Sequence, residues 1–307
     1  MLPVPRGSSE EGGETAPEPI VALERDGAIY SVAVLDRLHD TAFSPERFPL
    51  ASDFHARVVA LGGAGLAELD DALKRGERPT EARLLPGAFL WLPPCDPDRA
   101  LYVQLVPTGG AEGAEPAYRI GNARGLLGHE ARVPFPAGEE EPDYELGVAA
   151  ILGDDLRAAT TAEADAAILG FTVIADWTAR ATERAMIAAC LPISRARDFA
   201  TQLGPVLVTV DEVGDVARLR TRARAGGHVL EGSPAGARRL PIAEAIASVS
   251  HSVELRAGDV ISAGCVPGGS AAAHGRTVAW DARVELSVER LGTLAGVPVR
   301  GPERARR

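Results

Sequence analysis

The sequence predicts a β-rich α+β protein with few long helices, and two observations carry this prediction. Most apolar residues fall in short runs closed by glycine, proline or acidic residues, which is the pattern of β-strands. Segments with helical spacing of apolar residues are few and short, and no fixed-period repeat is present. Because 307 residues are too many for one minimal core, we expect two domains.

Composition and charge narrow the class of protein. Apolar residues make up 46% and charged residues 24% of the chain, which is ordinary for a globular protein. The net charge of −11 argues against a nucleic-acid-binding or anionic-membrane surface. Three widely spaced cysteines without a C-x-x-C pair predict a reducing compartment and no disulfide framework. Since neither a signal-peptide pattern nor an apolar run of about 18 residues is present, we expect a cytoplasmic protein.

We divide the chain into four parts. Residues 1–18 are rich in glycine, serine, glutamate and proline and predict a disordered tail. Residues 19–98 form the predicted N-terminal domain, which ends in a proline-rich linker. Residues 99–298 form the larger C-terminal domain, and the arginine-rich residues 299–307 form a second tail.

The individual elements follow from local patterns. Two apolar runs around Asp26 and Gly27 predict a hairpin, and leucines at helical spacing predict a helix over 58–73. Thr160 and Glu163 have the spacing of a capping box, which predicts a short helix ended by the glycine at 170. The other predicted elements are helices over 179–190 and 242–250, a surface hairpin over 219–240, and strands over 101–106, 142–153, 171–175, 206–210, 260–263, 278–280 and 284–288.

The stretch 142–153 carries two carboxylates on one face of its predicted strand. Alternation places Asp143 and Glu145 together, followed on that face by small residues, while larger apolar side chains share the other face. Carboxylates two residues apart along a strand lie roughly 6.5 Å apart, so both can lean toward one hard cation such as Mg²⁺, Mn²⁺ or Ca²⁺. The alternative is a half-exposed strand end with two solvated acids.

Four segments of the C-terminal domain, in order, resemble motifs of the fumarylacetoacetate hydrolase family. The strand 142–153 is similar to the motif E-x-E-L-x-x-x-x-G, and G-F-T-V-I-A-D-W-T-A-R at 170–180 is similar to G-Y-x-x-x-N-D-x-S/T-A-R. The segment 199–209, with L-G-P, resembles F-x-x-x-x-P-x-G-P-W-V-x-T, and 255–264 resembles L-x-x-G-D-V-I-x-T-G-T. A closing segment at 284–294 resembles the family's last strand.

This resemblance implies a fold, an assembly and a chemistry. The implied fold is a mixed β-sheet rolled into a barrel-like body, preceded by a smaller β-rich N-terminal domain, in a homodimer. The implied site holds Mg²⁺, Mn²⁺ or Ca²⁺ and acts on a small 2-oxo acid or a 1,3-dicarbonyl compound. Members of the family hydrolyse C–C bonds, decarboxylate or shift keto–enol bonds, through an enolate that the metal ion stabilises. We therefore expect a lyase, hydrolase or isomerase of this kind, with no nucleic-acid or membrane partner.

Transferred position by position, the resemblance implies that Asp143, Glu145 and Asp176 are the metal ligands. Asp143 stands where the family usually has glutamate, so it keeps the charge but shortens the reach of the carboxylate. For Asp176 the alternative is a helix N-cap, since a helical stretch follows it.

The resemblance also implies roles for further residues. Arg197 falls where many members carry a substrate-binding lysine, and its guanidinium is a fixed fork for a carboxylate. Glu183 lies where relatives often have glutamine, and its charge either repels an anionic substrate or helps to hold the cation. Arg180 is a candidate for substrate binding, although anchoring of its motif through a carboxylate is favoured. Cys265 replaces an expected threonine and either faces the site or, as is favoured, packs as a small apolar residue.

The main departure from the family is a missing histidine. In hydrolytic relatives a segment of the type N-Y-x-x-H-x-x-E supplies the histidine that activates water, but residues 100–115 contain no histidine. His129 is the nearest substitute, although a lone loop histidine is more often solvated. We therefore weigh three alternatives: an enzyme with changed enolate chemistry, a C–C hydrolase with His129 as its base, and a non-catalytic member that binds a small molecule or a protein partner.

Overall fold

The structure is a computed structural model that describes residues 2–5, 20–39, 64–106, 117–236 and 241–302. The strands are β1 (Leu2–Pro5), β2 (Ala22–Arg25), β3 (Ala28–Ser31), β4 (Arg83–Leu84), β5 (Phe89–Leu92), β6 (Tyr102–Val106), β7 (Ala117–Gly121), β8 (Leu126–Leu127), β9 (Ala131–Pro134), β10 (Pro142–Leu152), β11 (Ile168–Ala179), β12 (Thr201–Thr209), β13 (Thr221–Ala225), β14 (His228–Glu231), β15 (Val260–Cys265), β16 (Val284–Val288) and β17 (Gly292–Val299). The helices are α1 (Val32–His39), α2 (Ala64–Lys74), α3 (Thr161–Ala166), α4 (Arg180–Ala188), α5 (Ser194–Arg197), α6 (Val210–Val213) and α7 (Ile242–Ser252). The predicted β-rich α+β class is confirmed.

Two mixed sheets form the larger part of the molecule. The first has seven strands in the order β7–β6–β15–β10–β11–β12–β8 and curls into a half-barrel. The second has five strands in the order β14–β13–β16–β17–β9. Most neighbouring strands are antiparallel, while β6–β15, β8–β12 and β9–β17 pair in parallel. The rolled mixed sheet that the family resemblance implies is therefore confirmed.

β10 lies in the middle of the seven-stranded sheet, and both of its faces are covered. One face points into the main hydrophobic core, as the alternation predicts, with Tyr144, Leu146, Val148, Ala150 and Leu152. On the other face, Ala149 and Ile151 belong to a second apolar cluster with Leu203 of β12 and Val260 of β15. Since apolar residues are buried on both sides, the strand reads as a nearly continuous apolar run. Only its first residues leave this apolar surrounding and carry acids.

The N-terminal part is built on a three-stranded sheet in the order β2–β3–β4. β2 and β3 form the predicted hairpin, and Asp26 and Gly27 at its tip both have positive φ. α1 and α2 belong to one buried cluster with this sheet, in which Leu35 and Leu73 are fully buried. The first six residues of the helix predicted over 58–73 lie outside the described residues.

Both predicted tails need correction where the structure describes them. Leu2–Pro5 is a strand paired with β5 in a two-stranded sheet, and strands at a sheet edge are where prolines are tolerated. At the other end, Val299 is the last residue of β17, and Arg300 pairs with Glu140 and stacks over Trp280. The remaining residues of 1–18 and 303–307 lie outside the described residues. The predicted boundary near residue 98 stays a prediction.

Two predictions inside the C-terminal part were wrong in detail. α3 begins with the predicted capping box, but it ends at Ala166, and β11 begins at Ile168 because this buried residue already pairs with Leu152. Residues 278–280 form no strand. Their contribution is a packing contact instead, since Trp280 packs edge-on against Phe135 at a centroid distance of 5.4 Å.

Two further properties concern membrane-spanning helices and disulfide bonds. Within the described ranges, no helix combines the length and apolar character needed to cross a membrane. None of the three cysteines forms a disulfide bond.

Candidate active site

Two neighbouring strands bring the three predicted metal ligands together. β10 and β11 are antiparallel, and their register places Glu145 directly opposite Asp176. Asp143 lies two residues before Glu145, so it faces the same side of the sheet. Asp143 and Asp176 are each 2% exposed. The three carboxylates are therefore neighbours on one face, at the point where the apolar part of β10 ends.

The helix α4 adds two charged side chains and is itself held in place by a buried acid. α4 starts directly after β11. Because residues three apart are neighbours on a helix, Arg180 and Glu183 lie on one face of its first turn. The backbone N–H groups of Ala181 and Thr182 donate to the Glu139 carboxylate at 3.1 and 3.0 Å, and the Thr182 hydroxyl donates to it at 2.7 Å. Glu139 belongs to the loop before β10, so it ties the start of α4 to the start of β10.

Replacing Glu139 by glutamine is expected to lower the free energy of unfolding by about 1–3 kcal/mol. The glutamine amide loses the charge that favours a helix N-terminus and presents N–H donors to other donors. Urea denaturation measures the change. Glu140→Gln is the matched control, because Glu140 is exposed and its pair with the exposed Arg300 is screened by solvent, so a smaller loss is expected. Equal losses in both variants would contradict the capping role.

Arg197 lies among three carboxylates. It ends the short helix α5, which turns Arg197 into the protein and leaves Arg195 exposed. Its guanidinium donates to Glu145 from Nη1 at 2.6 Å and Nη2 at 2.8 Å. It also donates to Glu183 from Nε at 2.8 Å and Nη2 at 2.6 Å, and to Asp176 from Nη1 at 3.0 Å. All three guanidinium nitrogens are therefore engaged.

Arg180 bridges an overlapping set of acids. Its Nε and Nη2 both lie 2.8 Å from Asp143 Oδ2, its Nη2 lies 2.9 Å from Glu145 Oε1, and its Nη1 donates to Glu183 Oε2 at 2.8 Å. Asp143 also accepts the N–H of Ala271 at 3.0 Å. Arg180 thus anchors its motif through carboxylates. We call these six residues the acid–arginine cluster: Asp143, Glu145, Asp176, Glu183, Arg180 and Arg197.

Three polar residues that the sequence did not single out complete the surroundings of Asp176. Gln104 Nε2 and Arg119 Nη2 donate to Asp176 Oδ2 at 2.7 and 3.3 Å, and the Thr201 hydroxyl donates to Oδ1 at 3.2 Å. Gln104 on β6 and Arg119 on β7 face each other in the antiparallel pairing. The polar side chain of Gln104 inside the apolar strand β6 was the one sequence signal that could have indicated these residues. Arg119 gave none, because its partners are more than 50 residues away.

Burial and charge act in opposite directions on the three acids. Burial raises the pKa of Asp143 above its ordinary value, although Arg180 partly offsets the effect. Burial likewise raises the pKa of Asp176 against the opposing charge of Arg197. For Glu145, burial is outweighed by the hydrogen bonds and charge of Arg197 and Arg180, so its pKa lies below the ordinary value. Glu145 is therefore the acid that most firmly retains its charge.

Replacing Glu145 by glutamine is expected to lower the free energy of unfolding by about 3 kcal/mol near neutral pH, and by less in acid. Because the pKa of Glu145 is lower in the folded than in the unfolded chain, its contribution is present above the unfolded pKa of about 4.3. That contribution is lost as the pH falls through the folded pKa. The measurement is urea denaturation of both proteins from about pH 7 to about pH 3, with Glu140→Gln as control. A difference between wild type and variant that does not shrink in acid would contradict an ionised, paired Glu145.

The described contacts of His129 lie outside the acid–arginine cluster. His129 Nδ1 accepts the N–H of Ala295 at 3.0 Å, its ring packs edge-on against Trp91, and burial lowers its pKa. Its role as a general base stays a prediction. Cys265 ends β15 opposite Gly147 and is half-buried, with its thiol 3.2 Å from the carbonyl oxygen of Val266.

The donor set fits a hard divalent ion in its chemistry, since carboxylate oxygens are the ligands that Mg²⁺, Mn²⁺ and Ca²⁺ prefer. In the structure, Asp143, Glu145 and Asp176 each accept hydrogen bonds from Arg180 or Arg197. Across the described residues, no three His, Cys, Asp or Glu side chains are arranged to hold a metal ion. The acids are thus suitable ligands whose oxygens are taken up by guanidinium groups.

Sequence comparison points to one family. The family profile described as fumarylacetoacetate (FAA) hydrolase, C-terminal, matches residues 102–298, a range that contains the whole acid–arginine cluster. A mitochondrial oxaloacetate tautomerase from Bos taurus is 30% identical over 146 residues, which are 48% of this chain and 46% of the relative. The match therefore spans about half the length of that relative.

Solved structures share the fold. The fumarylacetoacetate hydrolase from psychrophilic Exiguobacterium antarcticum is similar over 98% of this chain and 100% of its own, with a TM-score of 0.68 and 19% identity. The fumarylpyruvate hydrolase from Pseudomonas aeruginosa, solved in complex with Mn²⁺ and pyruvate, is similar over 70% of this chain and 92% of its own. Its TM-score is 0.58 at 18% identity. At these identities the likeness establishes the fold.

Proposed function

Since the chain belongs to the fumarylacetoacetate hydrolase family, we propose that it is an enzyme that acts on a small 2-oxo acid or 1,3-dicarbonyl compound through an enolate. The proposed reaction is a keto–enol shift, isomerisation, hydration or decarboxylation, with C–C hydrolysis ranking behind these. The observation that carries the proposal is the acid–arginine cluster, in which four carboxylates and two guanidinium groups meet at one face of the sheet.

The exposed side of the cluster indicates where a substrate would approach. The side chains of Arg180 and Glu145 are 17% and 16% exposed, whereas those of Asp143 and Asp176 are 3% exposed. A guanidinium fork matches the carboxylate of an oxo acid. An anionic substrate would therefore bind Arg180 by accepting the hydrogen bonds that Arg180 now donates to Asp143 or Glu145.

The proposed chemistry follows from this approach. An enolate forms when a base removes a proton from the carbon beside a carbonyl group, and a carboxylate can accept that proton. Glu183 is the one acid of the cluster outside the proposed metal ligands, and its side chain is 12% exposed, so its carboxylate is the proposed acceptor. Residues 100–115 lack the histidine that activates water in hydrolytic members of the family, which favours enolate chemistry over the activation of water. The oxaloacetate tautomerase among the relatives also supports a keto–enol shift.

A divalent ion, Mg²⁺, Mn²⁺ or Ca²⁺, is part of this proposal. Asp143, Glu145 and Asp176 would hold the ion, and when bound it would supply stabilisation of the negative charge on the enolate. The Mn²⁺ in the structural neighbour from Pseudomonas aeruginosa supports this part. We also propose a homodimer and a cytoplasmic location.

A non-catalytic role is the second candidate function, and one observation favours it. Every carboxylate of the cluster already accepts a hydrogen bond from an arginine of the same chain. Such a satisfied cluster can stabilise a fold that binds a small molecule or a protein partner without turnover.

Proton exchange separates the two candidates. The protein is incubated in D₂O with pyruvate, oxaloacetate and a 1,3-diketone, with Mg²⁺ or with a chelator, and loss of the α-proton signal is followed by NMR. The enzyme proposal expects exchange at least about 100-fold faster than without protein for one of these compounds. Saturable binding by calorimetry without exchange would support the non-catalytic role. Neither binding nor exchange would contradict both.

A further inference from the structure

We propose that the Arg197 guanidinium takes up carboxylate oxygens of Glu145 and Asp176 that would otherwise be available to a divalent ion, and that this competition sets the metal affinity of this chain. The proposal deepens the metal part of the proposed function. It is tested by the metal affinity of matched variants and not by turnover. It can therefore fail while the enzyme proposal holds, and the enzyme proposal can fail while this one holds.

The position of Arg197 follows from the strand register. Glu145 and Asp176 are directly opposite each other on β10 and β11. One nitrogen, Nη1 of Arg197, lies 2.6 Å from Glu145 Oε2 and 3.0 Å from Asp176 Oδ2. A single positively charged group thus joins the two carboxylates that face each other. A divalent ion held by these acids would compete with this nitrogen for their oxygens.

Arg197 carries one of the three positive charges that lie among the buried acids. The cluster holds four carboxylates and two guanidinium groups, and Arg119 adds a third positive charge that Asp176 shares with Asp198. Without Arg197 the acids would be paired with too few positive charges in a buried setting, where unpaired carboxylates are strongly unfavourable. The same deficit would attract a divalent ion.

One further oxygen is available to an incoming ion. Gln104 is 6% exposed, and its Oε1 is buried without a hydrogen-bond partner, while its Nε2 donates to Asp176. Buried amide oxygens normally have a partner, and amide oxygens are ligands of hard cations. The unpartnered Oε1 therefore marks a place beside Asp176 where a cation would gain a neutral ligand once Arg197 has left.

The test is titration of Mn²⁺ into the full chain by calorimetry, with Arg197→Met compared with Arg195→Met. Arg195 is exposed on the same short helix, so its variant makes the same chemical change away from the acids. We expect Arg197→Met to bind Mn²⁺ at least about ten-fold more tightly than wild type and Arg195→Met. We expect Arg197→Lys, which keeps the positive charge, to stay near wild type. Adding Asp176→Asn to Arg197→Met should abolish the gain.

Folding is checked by circular dichroism, and a second variant covers the case in which Arg197→Met does not fold. The double variant Arg197→Met with Glu183→Gln removes one buried positive and one buried negative charge together, and leaves Asp143, Glu145 and Asp176 unchanged. It is expected to show the same gain in Mn²⁺ affinity. A folded variant of either kind that binds Mn²⁺ no more tightly than wild type would overturn the proposal, as would an equal gain in Arg195→Met.

Discussion

Replacing Asp176 by asparagine is expected to lower kcat/KM on the best oxo-acid substrate by at least about 100-fold. Asp176 is as deeply buried as Asp143 and accepts hydrogen bonds from Arg197, Arg119, Gln104 and Thr201. Asparagine has nearly the same shape but removes the negative charge and points an amide toward donors. Arg197 would then lose one of its carboxylates, and so would a metal ion at this position.

The control for Asp176→Asn is Asp281→Asn. Asp281 is exposed and pairs with the exposed Arg132, so the same chemical change there should leave kcat/KM unchanged within about two-fold. Both variants are compared with wild type by initial rates and by circular dichroism. A folded Asp176→Asn protein that keeps more than about a tenth of the wild-type kcat/KM would argue against catalysis by this cluster.

Replacing Trp177 by alanine is expected to lower the free energy of unfolding by about 3–5 kcal/mol. Trp177 has no exposed surface and lies between Phe135 and Tyr144, with ring centroids 6.0 and 6.4 Å away. Its Nε1 donates to the Oε1 atom of the buried Gln202 at 2.9 Å. Alanine would leave a cavity and also a buried acceptor with no donor.

The matched control for Trp177→Ala is Trp280→Ala. Trp280 also packs edge-on against Phe135, but it is half-buried and Arg300 lies over its ring. Its removal is expected to cost about 1–2 kcal/mol, because less surface leaves the core. Urea denaturation of both variants gives the comparison. If Trp177→Ala lost no more stability than Trp280→Ala, the packing and hydrogen bond of Trp177 would contribute less to the free energy of unfolding than we expect.

Local patterns predicted the elements well where a single segment contains the cause. The alternation in 142–153 correctly assigned the core face of β10, and Thr160 with Glu163 correctly predicted the start of α3. The end of α3 was wrong, because the pairing of Ile168 with Leu152 depends on another strand. Local signals do not contain that partner.

The candidate site was predictable in its residue types and much less in their contacts. The motifs named all six residues of the acid–arginine cluster, and the structure brings them together. The sequence could not show that Arg197 lies between Glu145 and Asp176, because this depends on how α5 is placed against the sheet. Gln104 and Arg119 were missed for the same reason, since each reaches Asp176 from a strand far away in the chain.

Because both faces of β10 are buried, the strand is not expected to tolerate inserted residues. Within β10, Leu146 and Ala150 point into the main core, while Ala149 points into the second apolar cluster. A single residue inserted between Leu146 and Ala149 would reverse the side to which every earlier residue of β10 points, since side chains alternate along a strand. Asp143 and Glu145 would then enter the core, and Tyr144 would replace them at the site. Insertions that preserve function are therefore expected in the loops around β10 and not within it.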